Sequence, residues 1–143
     1  MITLTDEINW KGIGDYLSAA RTLTEHGSSN VASGPVVHCR GLAVELALKF
    51  FLRDQRGHYP GTHNLEKLAF EESTIAFTQK EREFIKNLNR QYFRDDKDPY
   101  PSRYRPTAMR VVISPGQSAV EDIVATIVSA TSQANLIERI FSR

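Results

Sequence analysis

The chain has 143 residues, with 18 Lys and Arg against 17 Asp and Glu, and 41% apolar against 24% charged residues. That length fits one domain able to withdraw roughly 68–70% of its unfolded surface from water without staples, and the composition is too apolar for a disordered chain. A formal net charge of +1 leaves no overall basic field, so any phosphate contact must come from a local patch; the single cysteine, Cys39, excludes an internal disulfide or thiolate cluster and suits a reducing cytoplasm.

The opening "MITLTDEINW" has neither a basic n-region nor a long apolar stretch, so it does not read as a secretory signal. No apolar run approaches the roughly 20 residues that span a bilayer. Thr5 with Asp6 and Glu7 has the form of a helix cap with first-turn acids, and Ile13, Tyr16, Leu17, Ala20 and Leu23 recur at helical spacing, which predicts helix one over 6–26. Helix two is predicted from Val31 or Pro35 to Arg56, with Pro35 in the first turn or at a kink. Val36, Cys39, Ala43, Leu46 and Phe50 line one face, and Val44, Ala47, Leu48 and Phe51 much of the rest, so this helix should be the central one.

Beyond the loop "GHYPGT", the segment "HNLEKLAFEE" predicts a short third helix. In "TQKEREFIKNLNRQYFR" Thr78 and Glu81 have capping-box spacing, and Phe84, Ile85, Leu88 and Tyr92 face inward, predicting helix four. Three prolines in 95–113 predict an extended connection, with "RVVI" too short to imply a sheet. A second capping-box spacing at Ser118 and Glu121 opens a run in which Val120, Ile123, Ile127, Ala130, Ala134, Ile137 and Phe141 alternate three and four apart, predicting one continuous last helix. The predicted fold is all-α, a four- to five-helix up-and-down bundle forming a single domain over 1–143.

Helix two carries charge inside its apolar run. On a helical wheel His38, Glu45, Lys49, Arg53 and Arg56 fall on one stripe, a polar seam beside Leu42 and Leu52. An exposed Glu45–Lys49 pair would be worth roughly 0.3–0.5 kcal/mol. The alternative is that the seam lines an inter-helix groove or a self-association surface, where a partly desolvated pair fixes orientation more than it stabilises.

"GLAVELALKFFL", followed by a glycine and "GTHNL" and later by "SRYRP", resembles the HEPN superfamily (higher eukaryotes and prokaryotes nucleotide-binding domains), and within it the smaller, non-nuclease-like members. The residues that carry the resemblance are Ala43, Glu45, Leu46, Leu48, Lys49, Gly57, His63, Leu65, Arg103 and Tyr104; Arg105 departs from the pattern by standing before Pro106. The resemblance implies a four- or five-helix bundle, often dimeric, with roles from RNA cleavage to nonenzymatic partnership with nucleotidyltransferases. Fold is narrowed more than activity.

Nuclease members use an arginine followed by a polar residue and then a histidine after four to six positions. Arg53, Asp54 and His58 in "RDQRGH" meet that form, and Arg56 and His63 match its spacing. Such a site works without metal, because imidazole can move the ribose 2′-hydroxyl proton while guanidinium stabilises phosphate charge. The competing reading is a solvated helix end at which basic side chains face the negative dipole. His63 suits a cap for helix three, or packing against helix two, better than ligand binding. His38 has no metal-ligand companion motif, so no metal is expected. Arg103, Arg105 and Arg110 with Tyr100 and Tyr104 could hold phosphate and stack bases, or instead anchor the connection and pair with "DDKD". Glycine-rich phosphate loops are missing from the sequence, and no cofactor is expected.

The leading expectation is a noncatalytic, cytoplasmic, homodimeric HEPN-like module that binds a nucleotide, RNA or a nucleotidyltransferase-type partner. Its binding residues would be Glu45, Lys49, Arg53, His63, Arg103 and Tyr104. The alternatives are a metal-independent endoribonuclease using Arg53 and His58, and a dimeric scaffold whose seam only sets helix register.

Overall fold

The computed structural model describes residues 4–26, 34–97 and 116–141, the side chains of 4–9 and 26 excepted. Among the described residues five α-helices form the bundle: α1 (Leu4–His26), α2 (Gly34–Arg56), α3 (Gln79–Tyr92), α4 (Gln117–Ser129) and α5 (Ile137–Phe141). A π-helical segment, Lys67–Glu72, lies between α2 and α3, and a 3₁₀ turn, Ala134–Leu136, precedes α5. No strand occurs among the described residues. The expected all-helical bundle is thus the observed architecture.

Helix α2 is the central rod. It packs against α1, α3, α4 and the π-helical segment, and Val44, Ala47 and Leu48 have no solvent exposure. An apolar run covering most of the circumference of a helix requires neighbours on most sides, which is the arrangement found. Pro35 stands in the first turn, where its missing N–H costs no hydrogen bond. Helix α1 already includes Thr5, so the cap expected there is displaced.

The third segment forms as expected but in a wider coil. The Ser73 amide donates to the Leu68 carbonyl at 3.0 Å, a bond spanning five residues. At α3 the capping box is complete: Thr78 Oγ1 accepts from the Glu81 amide at 3.1 Å, and Glu81 Oε1 accepts from the Thr78 amide at 2.8 Å.

The last predicted helix is corrected twice. Its N-cap is Gly116, with no side-chain cap, and Glu121 pairs with Arg21 of α1 instead of returning to Ser118. The helix also stops at Ser129. Thr131 Oγ1 donates to the Val128 carbonyl at 2.7 Å and accepts from the Gln133 amide at 3.1 Å, while Asp54 at the end of α2 accepts from the Ser132 amide at 2.9 Å. Hydroxyl and carboxylate groups here offer the backbone an alternative to helical bonding, and the chain takes it. Ala130 and Ala134 are exposed in consequence, while Leu136 and Ile140 return to the core.

Candidate functional site

The polar seam of α2 closes into a buried junction on Glu45, which is 3% exposed. Glu45 Oε1 accepts from the Tyr92 hydroxyl at 2.7 Å; Oε2 accepts from Lys49 Nζ at 3.0 Å and from His63 Nδ1 at 3.1 Å. Three elements therefore meet on one carboxylate: α2 itself, the last residue of α3, and the loop before the π-helical segment. With Nδ1 carrying the hydrogen for Glu45, the lone pair of a neutral His63 ring lies on Nε2. Lys49, 8% exposed, lies 5.4 Å from the ring centroid of Tyr59, an exposed residue of the same loop.

Close approach of α2 and α3 makes the junction possible. A Cβ at Gly41 would stand 2.0 Å from Tyr92 Cδ1, so only glycine admits this ring, which is fully buried. The hydroxyl is thereby brought one helical turn along α2 to Glu45. The exposed-pair reading of Glu45 and Lys49 is corrected: the pair is desolvated and filled in by its own chain. A buried pair of this kind fixes geometry, and removing one partner strands the other.

His63 does not cap the third segment. Asn64 does, its Oδ1 accepting from the amides of Glu66 at 3.1 Å and Lys67 at 3.3 Å. Asn89 of α3 ties the same loop down, accepting from the Leu65 amide at 2.9 Å and donating to Asn64 Oδ1 at 2.9 Å. Thr62 donates to Asp96 Oδ1 at 3.0 Å. The loop between α2 and the π-helical segment is thus fastened to α3 at Asn64 and Leu65, to the segment after α3 at Thr62, and to α2 at His63.

Neither Arg53 nor His58 is among the Glu45 donors described above. Gly57, at φ 81°, forms the left-handed stop of α2, its amide donating to the Arg53 carbonyl at 2.8 Å. His58 is exposed beyond it, and among the described residues its imidazole makes no hydrogen bond or ion pair. Asp54, the polar residue of the nuclease-like pattern, is turned toward Ser132. Arg56 is taken by Glu72 at 3.0 Å. Arg103 and Tyr104 lie outside the described residues, as do Tyr100, Arg105 and Arg110.

A second polar network lies toward the other end of α2. Arg40, 4% exposed, donates from Nε to Gln117 Oε1 at 3.2 Å and from Nη2 to Thr24 Oγ1 at 3.2 Å. Burial lowers its pKa below the ordinary guanidinium value, and nearby Glu121 opposes the shift. Among the described residues no three His, Cys, Asp or Glu side chains gather as metal ligands, and no helix is long and apolar enough to cross a membrane.

Sequence reasoning missed Gly41, Tyr92, Asn89 and Arg40 as site-building residues. Tyr92 was legible only as a core residue; its hydroxyl needs a buried partner, which is a signal that polarity was waiting in the core.

No curated protein and no solved structure gives a significant match to this chain. The family model of the HEPN domain matches residues 14–127, from the middle of α1 to near the end of α4, and includes every member of the Glu45 junction. The chain belongs to the HEPN domain family.

Proposed function

We propose that this chain is a single-domain, noncatalytic, cytoplasmic HEPN module that acts as a homodimer and docks a protein partner of the nucleotidyltransferase type. HEPN domains commonly pair with such partners. The recognition surface on this reading is the C-terminal end of α2 with the loop after it, where Arg53, His58 and Tyr59 lie. The observation that carries the reading is the Glu45 junction: it spends the ionic seam on holding this loop rigid, and a loop held before binding pays less ordering entropy on binding. Tyrosine and arginine are also the residue types that most often dominate protein interfaces.

One observation favours the endoribonuclease as the second reading: Arg53 and His58 flank the same helix stop. Against it, Asp54 is engaged by Ser132 and His58 has no orienting partner among the described residues, whereas a general base is held by a third group. The noncatalytic reading predicts that purified protein leaves single-stranded RNA intact in chelator. It also predicts that affinity capture enriches a protein with a nucleotidyltransferase domain, several-fold less with Tyr59→Ala. RNA cleavage lost in both Arg53→Ala and His58→Ala would establish the nuclease. Salt-sensitive RNA binding without cleavage, lost in Arg103→Ala, would replace the protein partner with RNA itself.

A further inference from the structure

The outer flank of α3 carries cations that the bundle does not use. Arg82, Lys86 and Arg90 follow one another at intervals of four, so they form one ridge with steps of about 6 Å and a length of about 12 Å. Lys86 and Arg90 are exposed and Arg82 is half-buried. Among the described residues none of the three side chains makes an ion pair or a hydrogen bond. Acids on α3 and around the π-helical segment are engaged elsewhere: Glu66 accepts from Asn89 at 3.1 Å, Glu72 from Arg56 at 3.0 Å and Glu83 from Gln79 at 3.3 Å.

Arg82 is the oriented member of the ridge. Its guanidinium lies over the ring of Phe70 from the π-helical segment, 4.2 Å from the centroid, and Phe70 in turn meets Phe77 edge-on at 6.3 Å between centroids. A ring holds a guanidinium by its face and leaves the N–H groups at the edge available, which pairing with an acid would not. The planar fork is therefore preorganised for two parallel bonds to an anionic group. An isolated exposed ion pair contributes little, so the stacked arginine is what turns the ridge into a site.

Spacing and surrounding charge select the occupant. Carboxylates four apart on a partner helix repeat about every 6 Å in a single line, the period of the ridge. A nucleic acid is a continuous polyanion that draws on a broad basic field, whereas the formal net charge here is +1 and Glu71 and Glu83 are exposed on the same two elements. A single line of carboxylates suits so narrow a ridge.

We propose that the ridge of Arg82, Lys86 and Arg90 docks the acidic face of an α-helix from a partner protein, with Arg82 as the bidentate anchor. The surface shares no residue with the one proposed at the end of α2 and does not depend on that reading. The test is fluorescence anisotropy of the full chain with two labelled, alanine-rich helical peptides of equal composition. One carries three glutamates four apart; the other carries three glutamates five apart, which scatters them around the helix. The first should bind several-fold more tightly, with affinity falling as salt rises. Phe70→Leu, which leaves every charge in place, should lose most of that preference, and so should Arg82→Lys, which keeps the charge but not the fork. Circular dichroism checks each variant, and should Phe70→Leu fail to fold, the surface variant Arg82→Lys decides. Equal affinity for the two peptides, no binding of either, or a preference that survives Arg82→Lys would overturn the proposal. Tighter binding of an oligouridylate of equal charge, lost in the same variants, would assign the ridge to RNA and overturn the protein occupant.

Discussion

Glu45 and Gly41 make opposite contributions to one contact: Glu45 supplies an acceptor with three donors, and Gly41 supplies the space that lets one donor arrive. Glu45→Ala leaves the Lys49 ammonium and the Tyr92 hydroxyl buried without their acceptor, and should cost about 3–5 kcal/mol in urea unfolding. Gly41→Ala forces the Tyr92 ring from its place and should cost about 1–3 kcal/mol, a value smaller when Tyr92 is already Leu. A double-mutant cycle measures that difference. The Glu45–Lys49 relation was readable in advance because both residues sit on one helix, four apart. His63 and Tyr92 were not readable as its partners: they lie 18 and 47 positions away, and nothing in local periodicity says which distant side chains reach a given carboxylate.

At the scale of elements, the same sequence pattern appears twice and forms once. Thr78 with Glu81 closes a reciprocal cap, whereas Ser118 with Glu121 does not, because α4 begins at Gly116 and Arg21 draws Glu121 toward α1. Thr78→Ala should therefore cost about 1 kcal/mol and Ser118→Ala less than about 0.5 kcal/mol, compared by chemical denaturation. Asp54→Ala should cost about 1 kcal/mol by releasing the turn at Ser132, and should raise amide exchange in residues 130–133. The break after Ser129 escaped the sequence because the three-and-four spacing of apolar residues continues through it. That spacing records which side chains could face a core; the hydroxyls and the Asp54 carboxylate decide whether the backbone stays helical between them. Three other boundaries followed from caps and breakers, Pro35 near the start of α2, the glycine-led loop at its end and Thr78 before α3, whereas the cap expected at Thr5 lies inside α1.

The whole molecule is a bundle around α2, which carries a polar network toward each end, one on Glu45 and one on Arg40. Its central position was legible from an apolar surface nearly all round, and the helical class from the absence of strand-like partners. The division of labour between the networks was not, since each draws on residues from three separate elements. Such a plan yields a rigid body in which the loop after α2 is part of the frame, and that rigidity is what the proposed docking role requires. Hydrogen exchange on Glu45→Ala against wild type tests this coupling most directly. The account predicts that amide protection falls together in residues 62–66 and in the last turn of α3, while the middle of α1 keeps its protection. Loss confined to α2, or unchanged protection in those two segments, would contradict it.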